Sequence, residues 1–141
     1  MKINPYLNFN GNCAEAFAFY KKILNGKIDM MFKQGEAPIA SEIPREQHHL
    51  IMHLQMTVGD FELMGCDAPA DYYKKPQGQH VALQVDTIEE ANRLYHALLE
   101  GGQAQMPLQE TFWAKRFAML TDQFGIAWMI NCAKPFEINK E

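Results

Sequence analysis

The sequence predicts an α+β fold built from two β-α-β-β-β copies, and three observations carry that prediction. Residues 6–26 and 81–101 repeat at an offset of 75, pairing Asn12 with Thr87, Glu15 with Glu90, Ala16 with Ala91, Tyr20 with Tyr95 and Gly26 with Gly101. A second stretch repeats at an offset of 66, pairing Gly59 with Gly125, Leu63 with Met129, Met64 with Ile130 and Cys66 with Cys132. Each copy also opens with an apolar strand that runs into a helix with a capping pattern. Internal repeats take precedence over other readings because they determine the architecture. The expectation is a mostly antiparallel, curved sheet around a cup formed between the copies.

The elements follow in order. The first strands are expected at 3–9 and 79–86. Asn12-Cys13-Ala14-Glu15 and Thr87-Ile88-Glu89-Glu90 both read as capping boxes, in which a cap oxygen and an acid three residues on satisfy free helix amides. Cys13, Ala16, Phe17, Tyr20, Ile23 and Leu24 form the apolar stripe of helix one, and Ile88, Ala91, Leu94, Tyr95, Leu98 and Leu99 that of helix two. Asn25-Gly26 and Gly101-Gly102 stop the helices. Strands at 27–34, 48–58 and 60–66 complete the first copy (1–66), with a tight hairpin at Val58-Gly59-Asp60. Residues 34–47, with Gly35, Pro38 and Pro44, read as a loop able to close over something. Residues 67–78 read as a linker. The second copy (79–135) continues with strands at 103–108, 114–121 and 126–132 around the turn Asp122-Gln123-Phe124-Gly125.

Bulk properties narrow the function. A length of 141 residues gives one domain with a sizeable core. The formal charge of −4 argues against nucleic acid as a partner. The chain contains no apolar run long enough to span a membrane, and its first residues lack a signal-peptide core. Three cysteines without metal spacing imply reduced thiols and a cytoplasmic setting.

Strand alternation points to the functional surface. In 48–58, Leu50, Met52, Leu54, Met56 and Val58 share one face, and His49, Ile51, His53, Gln55 and Thr57 the other. In 79–86, Val81, Leu83 and Val85 oppose His80, Ala82, Gln84 and Asp86. The polar faces either meet water or line the cup. Strand 3–9 leaves its inward face undecided between Leu7 with Phe9 and Tyr6 with Asn8.

The sequence resembles the vicinal oxygen chelate superfamily, which holds glyoxalase I, extradiol dioxygenases and bleomycin-resistance proteins. Its PhnB-like branch, some members of which are labelled 3-demethylubiquinone 3-methyltransferase-like, is the nearest in pattern. The resemblance rests on Pro5-Tyr6-Leu7-Asn8-Phe9-Asn10-Gly11, Glu15-Ala16-Phe17 with Phe19-Tyr20, and Leu63-Met64-Gly65-Cys66-Asp67. It rests above all on Met106-Pro107-Leu108-Gln109-Glu110-Thr111-Phe112-Trp113, then Arg116-Phe117 and Asp122 through Asn131. Ala114-Lys115 departs from a common Gly-Ala, and Gln123 from a common Pro.

The resemblance implies four repeat-related metal positions, which fall here on Pro5, Leu63, His80 and Met129. Only His80 among them is a usual ligand for a divalent ion. The expectation is therefore no metal ligand set and no cofactor, with a divalent metal as the alternative. His80 and Glu110 are the candidate acid–base residues. His53, His80, Glu110, Trp113, Arg116, Met129 and Asn131 are the candidate ligand-binding residues. Each has a plainer reading: a hydrogen-bonded histidine, a solvated loop acid, a core aromatic or a surface pairing of Arg116. No nucleophile elbow or phosphate-binding Gly-rich loop is present, and nothing supplies the nucleotide-cofactor site of a methyltransferase. The leading expectation is a small-molecule-binding protein. The rivals are a metal-dependent lyase or isomerase of glyoxalase type and a resistance-type sequestering protein. Family habit adds the expectation of a homodimer.

Overall fold

The computed structural model describes residues 1–135. Those residues contain eight strands and two α-helices, which fall into two compact units, one spanning Met1–Lys75 and one beginning at Pro76. The first unit runs β1 (Tyr6–Phe9), α1 (Cys13–Leu24), β2 (Lys27–Lys33), β3 (Ile51–Val58) and β4 (Phe61–Asp67). The second runs β5 (Val81–Gln84), α2 (Ile88–Leu99), β6 (Gln103–Gln109), β7 (Ala114–Thr121) and β8 (Ala127–Ala133). The α+β class and the duplicated β-α-β-β-β order are both present. Each sheet is mixed. The orders are β1-β4-β3-β2 and β5-β8-β7-β6, with β1/β4 and β5/β8 parallel and the other neighbours antiparallel.

In the first unit the apolar stripe of α1 dictates the packing. Cys13, Ala16, Phe17, Tyr20 and Ile23 are buried, and the helix lies on β3 and β4. Leu7, Phe9, Leu54, Met56 and Leu63 turn toward it. Gly65 sits directly under Phe17, where a Cβ would fall 2.6 Å from a ring carbon. Asn25, at φ 53, ends the helix in the left-handed region, and the Gly26 amide returns to the Lys21 carbonyl at 2.9 Å.

Two local expectations need correction here. Asn12 makes no side-chain cap. The buried carboxylate of Asp67 takes its place, with Oδ1 accepting from Gly11 N and Cys13 N at 3.0 Å each. A carboxylate brought in by tertiary structure thus satisfies the helix start better than the local amide. The alternation of β3 also breaks. Ile51 is buried and Met52 exposed, the reverse of the expected pattern, because the β2/β3 register shifts between Phe32 and Lys33. Ile51 N donates to Asp67 Oδ2 at 2.8 Å, which holds that inward turn. His49 precedes the strand rather than lying within it.

The loop after β2 folds into three short 3-10 turns. His48 anchors it, with Nε2 at 3.0 Å from the Ala40 carbonyl and 2.9 Å from that of Ile43.

In the second unit α2 lies on β6, β7 and β8. Ala91, Leu94, Tyr95 and Leu98 are buried in it. Trp128, Ile130, Cys132, Ala118 and Leu120 form the buried side of the sheet. Thr87 caps as expected, its Oγ1 accepting from Glu90 N at 3.1 Å. The Glu90 carboxylate pairs with Arg93 (2.6 and 2.9 Å), a hydrogen bond that lowers its pKa. Asp122 organises the β7–β8 turn. Its Oδ1 accepts from Phe124 N and Ile126 N, and its Oδ2 from Trp128 Nε1 at 2.8 Å.

The offset of 75 holds for the helices: Ala16 with Ala91 and Tyr20 with Tyr95 are buried pairs. The offset of 66 fails for the strands. Leu63 is buried on the helix side, whereas Met129 faces away from it; Cys132 is buried, whereas Cys66 lies on the open side. A strand alternates sides at every residue, so an even offset that aligns the turns inverts the faces if the true displacement is odd.

Candidate functional site

Each sheet has one face under its helix and one open face, and the open faces carry the chemistry. On the first, cross-strand register puts Tyr6 beside Met64 and Gln55, and Asn8 beside Cys66, with Phe32 opposite His53. This settles the side of β1: Leu7 and Phe9 go to the core, Tyr6 and Asn8 to the open face. The Tyr6 hydroxyl is 3.1 Å from His53 Nδ1, and the two rings stack with centroids 5.7 Å apart. Cys66 Sγ donates to Asn8 Oδ1 at 3.4 Å.

Burial, then the contact with Cys66, raises the Tyr6 hydroxyl above the ordinary phenol range. Burial is also the main cause that raises the Cys66 thiol, and the neighbouring Asp67 charge adds to it. At neutral pH the cluster is therefore a phenol and a thiol, both protonated, beside an imidazole. That set can donate and accept hydrogen bonds and pass a proton, but it presents no thiolate nucleophile. His53 was legible in the sequence. Tyr6, Asn8 and Cys66 were not, because only the parallel pairing of β1 with β4 tells which side of β1 is open.

The second open face is neutral. Gln84, Asn131 and Phe117 form one cross-strand row, and Ala82, Met129, Met119 and Met106 form the next. Asn131 Nδ2 donates to Gln84 Oε1 at 2.8 Å. Asn131 Oδ1 is shielded from solvent and has no hydrogen-bond partner. Phe117 carries Trp113 edge-on, centroids 5.2 Å apart at 71°, and Trp113 in turn meets Phe112 at 4.9 Å.

The structure brings some of the expected site residues together and separates others. Met129 and Asn131 share the open face of the second sheet, and Trp113 borders it through Phe117. Arg116 stands opposite Cys132, so it sits on the helix side of β7, and its Nη1 donates to the Lys115 carbonyl at 2.6 Å. His80 is exposed just before β5, two residues short of Ala82, which is level with Met129. Glu110 is exposed at the other end, ion-paired with Lys134 at 3.4 Å. His80 projects to the level of Ala127, seven residues of strand or roughly 23 Å from Lys134, so the two candidate acid–base residues do not meet at one bond. His53 belongs to the first unit's open face.

The four positions implied for a metal do not make a donor set. Pro5 lends its carbonyl to Met64 N, Leu63 is buried beneath the helix, and Met129 offers a thioether. Among the described residues no three His, Cys, Asp or Glu side chains gather as a set for a metal ion. Divalent ions of the expected kind need imidazole and carboxylate at several positions, and these residues do not supply them.

Residues 2–130 match the Glyoxalase/Bleomycin resistance protein/Dioxygenase superfamily. The chain belongs to that superfamily. A relative, Protein YjdN of Escherichia coli (strain K12), is 32% identical over 142 residues, covering 95% of this chain and 97% of that one. Protein PA1353 from Pseudomonas aeruginosa shares the fold at a TM-score of 0.87 and 46% identity, over 96% of this chain and 99% of that one. A PhnB protein from Bacillus cereus, titled a putative 3-demethylubiquinone-9 3-methyltransferase, aligns at a TM-score of 0.76 and 24% identity, over 93% and 98%. In each copy of this chain the first and last strands pair in parallel. No helix among the described residues is long and apolar enough to cross a membrane.

Proposed function

We propose that this chain is a small-molecule-binding protein of the superfamily, that its ligand lies on the open face of the second sheet, and that it works without the superfamily's usual metal ion. One observation carries the reading: the hydrogen-bonded amide pair of Asn131 and Gln84 lies on the sheet face that α2 does not cover, with no charged residue in its cross-strand row. The neighbouring Phe117, Trp113 and Met129 supply apolar and aromatic surface, the usual lining of a small-molecule site. The donor chemistry at Pro5, Leu63, His80 and Met129 supports the metal-free part.

The test is thermal-shift screening of the purified protein against small polar and aromatic metabolites, with Asn131→Leu as the comparison. Ligands that raise the melting temperature of the wild type should fail to raise that of the variant. A screen with no hits, or hits that bind the variant equally, overturns the reading.

A second reading is favoured by the Tyr6–His53 contact: proton-transfer catalysis on the first sheet. With its proton on Nδ1, His53 donates to the Tyr6 oxygen at 3.1 Å, which orients the ring and leaves Nε2 free to take a proton from a substrate, Tyr6 staying protonated throughout. Tyr6→Phe should then lower turnover of any substrate found by at least about tenfold while leaving its binding intact.

A further inference from the structure

We infer that the open face of the first sheet holds a soft monovalent cation, copper(I) or silver(I), between the Cys66 thiol and the His53 imidazole. The inference is independent of the second sheet as a ligand surface and places the ion away from the four repeat-related metal positions.

The two donors meet at one atom. The Tyr6 hydroxyl stands 3.1 Å from His53 Nδ1 and hydrogen-bonds the Cys66 thiol as well. Strand register gives the reason. Leu54 pairs with Gly65 across β3 and β4, so the next residues, His53 and Cys66, lie level on the face that α1 leaves open. Tyr6, level with Met64, reaches both from the adjacent row. Two partners of one hydroxyl, each about 3 Å from it, stand about 5 Å apart. A metal ion about 2.3 Å from sulfur and about 2.0 Å from nitrogen spans about 4.3 Å. The ion therefore takes the place of the hydroxyl, and side-chain rotation closes the difference. Tyr6 is 42% exposed on an edge strand, so its ring can turn outward. Cys66 and His53 are half-buried, which leaves both donors reachable.

The donor set selects the ion. Zinc sites take three or four protein ligands, and among the described residues no third His, Asp or Glu gathers with these two. One thiolate and one imidazole suffice for a monovalent d10 ion, which favours soft sulfur and imidazole nitrogen. Met64, two residues from Cys66 on the same face, adds a polarisable thioether to the surroundings. Charge points the same way. Binding breaks the S–H bond, releases that proton to solvent, and forms ion–sulfur and ion–nitrogen bonds, the imidazole keeping its one proton on Nε2. Thiolate, monovalent cation and neutral imidazole sum to zero. A divalent ion would leave a net positive charge among Phe32, Met30, Gln55, Met64 and Asn8, none of which is charged. The burial that keeps the thiol protonated penalises a bare thiolate, and a bound cation removes that penalty.

Titration of the protein with silver nitrate in chloride-free buffer, followed by calorimetry and by NMR of the histidine rings, tests this. The expected result is one equivalent bound with one proton released per ion, read from heats that change with the ionisation enthalpy of the buffer. The His53 Nδ1 resonance should shift ahead of those of the other histidines. Cys66→Ala should lose the silver equivalent, and His53→Gln should bind at least about tenfold more weakly. Silver bound as tightly by His53→Gln as by the wild type shows a thiol acting alone and overturns the inference. An unmoved His53 Nδ1 in the wild type, which needs no variant, does the same. Retention of the silver equivalent in Cys66→Ala, or zinc bound as tightly as silver, also overturns it.

Discussion

The Asp67 carboxylate accepts the Cys13 amide at 3.0 Å, tying the last residue of β4 to the first residue of α1. Its other oxygen takes Ile51 N at 2.8 Å, so one buried acid joins three elements of the first unit. Asp67→Ala leaves the amides of Gly11, Cys13 and Ile51 without their acceptor, and the expected loss is on the order of 3–5 kcal/mol of unfolding free energy. Asp67→Asn keeps one acceptor oxygen and should lose roughly half as much. Urea denaturation measures both; a change below about 0.5 kcal/mol for the alanine variant would show that the carboxylate is not a keystone.

Stability should fall in alkali. Cys13 and Cys66 are raised mainly by burial, and Tyr6 likewise. A group whose pKa is raised on folding stabilises fully below its unfolded value, about 8.5 for a thiol, and loses that contribution as pH climbs toward the folded value. The melting temperature should therefore decline steadily from about pH 8 upward, and Cys13→Ala should flatten the decline. A melting temperature that is flat or rising between pH 8 and 10 contradicts this account.

Gly65→Ala should cost about 1–3 kcal/mol by overpacking. The new methyl would lie 2.6 Å from Phe17 Cε2 and 2.9 Å from the Leu7 carbonyl oxygen. Phe17→Leu in the same chain should recover part of the loss, since it removes the ring but not the carbonyl. The double-mutant cycle measures the coupling, and strict additivity of the two changes would count against the contact.

Divalent ions should leave the fold unaffected. With no matched donor set at Pro5, Leu63, His80 and Met129, zinc, nickel or manganese should not raise the melting temperature, and a chelator should not lower it. Any ion that binds the native state raises stability with its concentration. A saturable rise that disappears in His80→Ala would reveal a site built on that imidazole.

Much of the fold was legible in the chain. The helices announced themselves through 3.6-residue periodicity and end signals, so Cys13–Leu24 and Ile88–Leu99 follow directly from the pattern. The strands were legible as apolar runs, yet their faces were legible only where alternation is strict. The β2/β3 irregularity beside Ile51 defeats counting, because a bulge changes the facing of every residue beyond it. The site was less legible still. The Asn131–Gln84 hydrogen bond joins residues 47 positions apart, and the Tyr6–His53 contact spans the same separation. Neither has a local signature. Arg116 and Asn131 were both expected to bind ligand, but strand parity places them on opposite sides of the sheet.

Phe9 turns inward four residues ahead of α1, whereas Gln84, four residues ahead of α2, turns outward. A duplicated ancestor that gained or lost a single residue at this joint would produce that difference. The open face of one half gathers titratable groups around an imidazole, while that of the other is uncharged and rich in amides and sulfur. Swapping residues between the halves by simple subtraction would therefore move core side chains into water, and any chimera of the two must shift its junction by one residue.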